Sequence, residues 1–236
     1  MSDEMIERAL EDIRKGRMVM IFDADDRERE TDMVIASQFI TPASIREMRK
    51  NAGGLICTTA HNDICRKLDL PFLADVLACN HDRHPVLKGL APNDIPYDTK
   101  SAFSITINHR RTFTGITDKD RALTVSEFAR LAKDSYSLDE EEAQAAFGKA
   151  FRAPGHIHLL NSTPHLLSER KGHTELATAM MVMAGVTPTA TICEMMGDDG
   201  DALSKEKAKR YAARFDLCFL EGKDIIDFWK RGGNGK

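Results

Sequence analysis

Met18-Val19-Met20-Ile21-Phe22 is an uninterrupted apolar run of strand length, and a second run rich in apolar residues spans Met33 to Ile40. Between them lie residues 23–32, which are all charged except Ala24 and Thr31. Apolar runs without alternation are typical of strands that are buried on both faces of a sheet. The stretch therefore predicts two core strands joined by a charged loop.

The rest of the chain intersperses predicted helices with predicted strands. Apolar periodicity and start or stop signals predict helices at residues 4–15, 41–53, 128–132, 174–183 and 204–214, with a last helix ending at Trp229. Short apolar runs predict strands at residues 55–58, 102–108, 157–160, 189–193 and 217–220. Thr124 and Glu127 have capping-box spacing before the third helix. We expect one α/β-type domain over residues 1–236, with helices covering a mixed sheet.

Three polar segments interrupt this pattern. Residues 80–100 are rich in Asn, Asp, Pro and His, which predicts a loop. The acidic run at residues 139–142 indicates a solvated turn or a helix start. The end of the chain, residues 230–236, is predicted to be a disordered tail.

Composition excludes several classes of protein. The 236 residues carry a formal net charge of -4, whereas proteins that bind nucleic acid usually have a surplus of Lys and Arg. No apolar stretch is long enough to cross a membrane, and residues 1–4 do not resemble a signal peptide. The five cysteines are scattered and never spaced as CxxC, which favours reduced thiols. We expect a cytoplasmic protein with neither a nucleic-acid nor a membrane partner.

The charged loop, residues 23–32, is the strongest chemical signal in the sequence. Its six carboxylates and two arginines could hold a divalent cation and a phosphate together, and oxygen ligands suit Mg²⁺. An isolated charge run is usually a solvated surface segment. That alternative is weakened here because the loop lies between two predicted core strands.

A second signal is the segment Arg170 to Glu175, which leads into an apolar helix. Backbone N–H groups at a helix start attract phosphate, and Arg170 with the Thr174 hydroxyl could complete such a site. His173 could bind a metal through a ring nitrogen. Taken alone, however, a basic residue and a histidine before a helix are common and mostly carry no function.

Two further segments are weaker signals. Arg152-Ala153-Pro154-Gly155-His156 resembles a turn before a strand, and His156 could be an ordinary surface residue. Glu194 follows a predicted strand and precedes the acidic turn at residues 197–200. A carboxylate there is placed for proton transfer, although a structural turn fits the spacing equally well.

Occurring together and in this order, these segments resemble the 3,4-dihydroxy-2-butanone 4-phosphate synthase family over nearly the whole chain. The matching residues are Asp23, Arg27–Asp32, Ala52–Cys57, Phe113–Thr117, Asp120-Arg121, Arg152–His156, Gly172–Glu175 and Cys193-Glu194. The resemblance implies a three-layer α/β/α sandwich around a mixed sheet, and a homodimer with active sites near the subunit interface. It also implies conversion of ribulose 5-phosphate into L-3,4-dihydroxy-2-butanone 4-phosphate and formate, in riboflavin biosynthesis. Segments 78–89 and 135–146 cannot be assigned to any motif of the family. The chain lacks the cysteine cluster of bifunctional relatives, so we expect the monofunctional form.

The resemblance also implies roles for individual residues. Glu28 and His173 are expected to hold Mg²⁺ or Mn²⁺, with two ions in each active site. Substrate contacts are expected from Arg27, Glu28, Asp32, Thr114, Arg170, Lys171, Gly172, His173, Thr174 and Glu194. The expected proton-transfer residues are His156, Glu194, Asp32 and Glu30, with their individual roles undivided. Asp23 and Cys57 are expected to shape the site, and packing explains Cys57 at least as well as chemistry does.

Three other functions remain open from the sequence. A metal-dependent aldolase or epimerase could use the same cation and phosphate site, and formate release would distinguish it. A non-catalytic binding module would predict a basic concave face, which the net charge argues against. An inactive homologue would be expected to lack some of the matched carboxylates and histidines. We also hypothesise that residues 23–32 become ordered when metal and substrate bind.

Overall fold

A computed structural model describes residues 2–98 and 100–233. Its strands are β1 (Val19–Phe22), β2 (Thr31–Ala36), β3 (Cys57–Ala60), β4 (Phe103–His109), β5 (Phe151–Asn161), β6 (Thr189–Glu194) and β7 (Phe219–Glu221). They form one seven-stranded sheet in the order β4-β5-β3-β6-β2-β1-β7. The β1–β7 and β3–β5 pairs are parallel and the other pairs are antiparallel. The predicted mixed sheet is therefore confirmed.

Helices lie on both faces of this sheet. They are α1 (Ser2–Arg14), α2 (Pro42–Asn51), α3 (Asn62–Lys67), α4 (Leu73–Ala78), α5 (Val86–Gly89), α6 (Asp118–Asp134), α7 (Glu140–Ala150), α8 (His173–Ala184), α9 (Lys205–Arg214) and α10 (Gly222–Phe228). One core is formed between the sheet and α1, α8 and α10. The other is formed with α2, α3, α6, α7 and α9. The fold is the predicted three-layer α/β/α sandwich.

The strands flanking the charged loop are as buried as their sequence predicts. Every residue of β1 and of β2 is buried. Successive side chains of β1 point to opposite faces, so Met20 packs in the core beside α2 and α6, whereas Ile21 packs beside α8. The two strands pair with Phe22 opposite Thr31. The loop of residues 23–30 therefore starts and ends at the same end of these neighbouring strands.

Two local predictions were wrong. The helix expected at residues 128–132 begins at Asp118, where the Thr117 side chain accepts a hydrogen bond from Asp120 N. Thr124 lies inside that helix and donates its hydroxyl to Asp120 O. The capping-box spacing of Thr124 and Glu127 therefore falls inside the helix and does not mark its start. The residue that caps the helix is Thr117, seven positions earlier. Within the segment 80–100, residues 86–89 form the one-turn helix α5.

The prediction of a turn at residues 152–156 is also wrong. These residues belong to the long strand β5, which pairs with the edge strand β4. The β4–β5 register shifts between Ile107 and Asn108, and the Ala153–Pro154 peptide is cis. Proline has no N–H for a regular ladder and is found at such irregularities. A proline–glycine pair thus marked an interrupted strand and not a turn.

Two predictions concern the chain ends and the acidic run. Residues 139–142 do start a helix, with a capping box between Asp139 and Glu142. The segment expected to form a disordered tail begins in a helical turn, Trp229–Gly233, and its last residues, 234–236, lie outside the described residues. Among the described helices, none has the length and apolarity that a membrane crossing requires.

Candidate active site

Asp23 organises the charged loop that follows β1. Its buried carboxylate accepts hydrogen bonds from the backbone N–H groups of Glu28 at 2.9 Å and Glu30 at 3.1 Å. Between these two donors, Arg29 adopts a left-handed φ of 61°. The turn leaves Arg29 exposed and Glu28 half-buried. Asp23 therefore fixes the backbone that carries Glu28.

The sheet places Asp32 and Glu194 side by side. Asp32 is on β2 and pairs in register with Glu194, the last residue of β6. Paired residues of neighbouring strands point to the same face of a sheet, here the face covered by α8. This arrangement brings two carboxylates together from positions 162 residues apart along the chain.

His173 is the first residue of α8 and lies between two of these carboxylates. Its Nδ1 is 3.1 Å from Glu28 Oε2, and its Nε2 is 3.5 Å from Asp32 Oδ1. The imidazole is only 6% exposed. The loop, the sheet and the helix therefore each contribute one residue to a single buried cluster.

Burial and mutual repulsion shift the pKa values of this cluster. Burial raises the pKa of Asp32 well above its ordinary value, although His173 opposes the shift. Burial also raises the pKa values of Glu30 and Glu194, and neighbouring carboxylates add to the effect. Carboxyls whose pKa values are raised are suited to accepting and returning protons during a reaction.

In the Glu28–His173 pair, the charges of neighbouring groups outweigh burial, so both pKa values shift in the direction opposite to the one that burial favours. Burial alone would lower the pKa of His173, but Asp32 and Glu28 outweigh it and raise the pKa to about 10. Burial alone would raise the pKa of Glu28, but the hydrogen bond and charge of His173 outweigh it, so that pKa is lowered. Each partner thus stabilises the charged form of the other.

The cluster has the donor set of a divalent-cation site. Asp23, Glu28 and His173 each offer one ligand atom, and these atoms lie within 4.8 Å of one another. Within the described part of the chain, both carboxylate oxygens of Asp32 and the Nε2 of His173 lack a hydrogen-bond partner. Buried polar atoms without partners are costly. Oxygen and imidazole ligands around such atoms fit a cation such as Mg²⁺ or Mn²⁺.

Two arginines lie beside the cluster and meet at Asp98. Arg170 donates from Nε at 2.7 Å to Asp98 Oδ2, and Arg27 donates from Nη2 at 3.2 Å to the same oxygen. Arg170 also donates from Nη1 at 2.5 Å to Glu175 Oε2. A Cβ at Gly172 would lie 2.5 Å from Arg170 Nη1. Glycine at this position therefore lets the guanidinium pack against the helix start.

The Glu28–His173–Asp32 cluster and Arg170 line one cavity of about 140 Å³. Its walls include Glu28, Asp32, Cys57, Tyr97, Asp98, Arg170, His173, Thr174 and Glu194. Cys57 is 1% exposed on β3, and burial raises the pKa of its thiol well above the ordinary value. Cys57 therefore packs in the cavity wall as a neutral, buried thiol.

Three residues expected at the site lie elsewhere in the single chain. Lys171 is exposed and lines a second cavity, which it shares with Asp23, Arg27, Lys205 and Lys223. Thr114 and His156 belong to what we call the β4–β5 cluster, which is defined by Asn108, Thr114 and His156. In this cluster, Asn108 Oδ1 accepts a hydrogen bond from His156 N, and Asn108 Nδ2 donates one to Thr114 O.

Two residues that contact Arg170 were missed by the sequence reasoning. Glu175 stands in the matched segment 172–175 but received no role, although an acidic residue in the first turn of a helix could have suggested one. Asp98 lies in the predicted loop, 72 residues from Arg170. No local pattern in the sequence could have revealed that contact.

Comparison with known proteins identifies the family. A model of the 3,4-dihydroxy-2-butanone 4-phosphate synthase family matches residues 7–228. The chain belongs to this family. A 3,4-dihydroxy-2-butanone 4-phosphate synthase from Methanothermobacter thermautotrophicus is 50% identical over 224 residues, which cover 94% of this chain and 95% of the relative. Membership makes the chain an enzyme of riboflavin biosynthesis.

Solved structures of 3,4-dihydroxy-2-butanone 4-phosphate synthases share the fold. The Candida albicans enzyme is 27% identical with a TM-score of 0.71, and the match covers 94% of this chain and 96% of that one. A second synthase structure, in complex with two magnesium ions, is 22% identical with a TM-score of 0.73 and covers 98% and 99%. At this identity the second likeness shows the fold alone.

Proposed function

We propose that this chain converts D-ribulose 5-phosphate into L-3,4-dihydroxy-2-butanone 4-phosphate and formate. The observation that carries the proposal is one cavity lined by the Glu28–His173–Asp32 cluster and by Arg170. Arg27 reaches the wall of this cavity through its ion pair with Asp98. The cluster suits proton and metal chemistry on a sugar, and the arginines suit its phosphate. Family membership supplies the reaction that needs both.

We infer that Glu28 and His173 hold Mg²⁺ or Mn²⁺, with two ions in each site. The donor set supports this inference, as does the magnesium complex of a protein with the same fold. A bound ion of this kind stabilises negative charge that develops on sugar oxygens. Asp23 keeps Glu28 in place through its two backbone hydrogen bonds.

The carboxylates Glu30, Asp32 and Glu194 are the proposed proton carriers. The reaction begins by removing the C1 proton to form an enediol, and later steps expel the C1 hydroxyl as water and C4 as formate. Each step needs a group that accepts or returns a proton. All three carboxyls have raised pKa values because Asp32 is buried and Glu30 and Glu194 are partly buried near other carboxylates, so they can hold a proton between steps.

The phosphate of the substrate is proposed to bind at Arg27, Arg170 and the start of α8. Gly172 occupies the N-cap position of α8 without a side-chain cap, which leaves backbone N–H groups available to an anion. Thr174 lines the cavity and offers a hydroxyl. Lys171 would add positive charge at the outer side of this helix start.

We also propose a homodimer in which a second copy supplies Thr114 and His156. Asn108 Oδ1 accepts from His156 N at 2.9 Å, and Asn108 Nδ2 donates to Thr114 O at 3.5 Å. Both Thr114 and His156 are exposed, and the neighbouring Phe113 is 93% exposed. An exposed aromatic ring beside ordered polar groups is typical of an interface.

A cytoplasmic location is the last part of the proposal. The five cysteines are all free thiols, and four of them are buried. Thiols persist in reducing compartments, which supports this location.

Formate release from ribulose 5-phosphate, measured with Mg²⁺ and then with excess chelator, tests the proposed function. We expect one formate for each dihydroxybutanone phosphate, and we expect chelator to abolish both products. An aldolase or epimerase would consume the same substrate without producing formate. Folded, metal-loaded protein that releases none would overturn the proposal.

A further inference from the structure

The two arginines of the proposed phosphate site share a carboxylate from the chain itself. Asp98 Oδ2 lies 2.6 Å from Arg170 Nη2 and 3.2 Å from Arg27 Nη2. The Asp98 side chain is 11% exposed and lines the cavity. The guanidinium of Arg27 also lies 6.0 Å from the centre of the Tyr97 ring. Residues 97 and 98 therefore contact both cations at once.

A second carboxylate, that of Glu175, also contacts Arg170. Glu175 is in the first turn of α8, and its side chain is 0% exposed. It also accepts a hydrogen bond from Thr163 N at 3.1 Å. Glu175 is thus fixed by a helix and by a second donor. Asp98 belongs to residues 91–98, which form neither helix nor strand.

A carboxylate and a phosphate bind guanidinium groups through the same N–H donors. The donors that Arg170 and Arg27 direct at Asp98 are therefore not available to a phosphate while that contact persists. Glu175 occupies a different nitrogen, Nη1, and leaves the other donors free. Of the two carboxylates, Asp98 is the one that a phosphate would have to displace.

We propose that Asp98 competes with the substrate's phosphate for Arg27 and Arg170, and thereby sets the affinity of the site for phosphate esters. The inference rests on the proposed function, because it takes these arginines as the phosphate site. The measured affinity equals the intrinsic affinity multiplied by the fraction of molecules in which Asp98 is displaced. Glu175 is assigned the opposite effect, since it positions Arg170 for phosphate.

Calorimetric titration with inorganic phosphate tests the competition without relying on turnover. We expect Asp98→Asn to bind phosphate about fivefold more tightly than the wild type, the scale of one partly exposed ion pair. Asp98→Glu keeps the charge and should stay close to the wild type. Asp94→Asn is the matched control, because it removes an exposed charge from the same segment and should leave the affinity unchanged. Glu175→Gln should weaken binding.

The KM for ribulose 5-phosphate supplies an independent readout. Asp98→Asn should lower KM in parallel with the phosphate dissociation constant. Unchanged or weaker phosphate binding by folded Asp98→Asn protein would overturn the competition. Equal tightening of phosphate binding by Asp94→Asn would also overturn it, because the effect would then be general electrostatics. Formate release by the wild type separates these outcomes from a failure of the proposed function.

Discussion

The Glu28–His173–Asp32 cluster and the β4–β5 cluster show two ways in which one fold presents chemical groups. In the first, three elements converge and the side chains are buried against one another. In the second, Asn108 fixes the backbone near Thr114 and His156, but both residues remain exposed. The first cluster consists of closely spaced charged groups that all come from one chain. The second cluster is held by hydrogen bonds, and its residues Thr114 and His156 are exposed in the single chain.

This difference indicates that the two clusters have different functions. Buried charges need partners from the same chain, because an unpaired charge would destabilise the folded monomer. Exposed polar groups do not destabilise the folded monomer in this way, because water solvates them. They can therefore find their partners in a second copy of the chain. We therefore expect substitutions in the first cluster to reduce catalytic activity and to alter the pH dependence of the free energy of unfolding. Changes in the β4–β5 cluster should remove activity that a second chain can restore.

The largest expected effect is at Glu28. Replacing it with Gln removes a proposed metal ligand and the partner of His173, so formate release should fall more than about 100-fold, beyond what loss of an outer-shell partner costs. Asp25→Asn is the matched control, since this residue is 85% exposed in the same loop and should retain activity. Similar losses in both variants would show that the loop's total charge matters and Glu28 does not.

The second effect distinguishes the two clusters by complementation. His156→Ala alone should be nearly inactive, as should Glu28→Gln alone. Co-refolding them in equal amounts should restore about a quarter of wild-type activity, because half of the dimers are mixed and each has one intact site. A mixture as inactive as its components, from protein shown to exchange subunits, would place His156 and Glu28 in sites of the same chain.

A smaller effect is expected in the pH dependence of stability. The folded-state pKa of His173 in the metal-free protein is raised to about 10, above the ordinary value of about 6.5. Its stabilising contribution is therefore complete below about pH 6.5 and is lost as pH rises towards 10. Urea unfolding of the metal-free protein should show this fall, and Glu28→Gln should make it shallower. Parallel curves for both proteins would contradict the assigned coupling.

The smallest effect lies outside both clusters. Asp139 caps α7 and accepts from Glu142 N at 2.8 Å. Asp139→Ala should lower the free energy of unfolding by about 1 kcal/mol and leave formate release unchanged. Loss of activity at full stability would mean that the segment 135–146 has a function that neither cluster explains.

The sequence predicted the buried strands and the charged loop because these features are local. Burial on both faces leaves a continuous apolar run, which β1 shows in full. It could not predict that Asp32 and Glu194 are neighbours, since that depends on the register between two distant strands. The start of α6 was misplaced because two capping signals competed within ten residues. Asp98 escaped notice because its partners are distant in sequence.

Isotope-labelled substrate tests the central claim most directly. Ribulose 5-phosphate carrying ¹³C at C4 is supplied with Mg²⁺, and the products are followed by NMR. We expect the label to appear in formate and to be absent from the dihydroxybutanone phosphate. Label that stays in the phosphorylated product, or formate derived from C1, would contradict the assigned reaction and with it the roles proposed for the buried cluster.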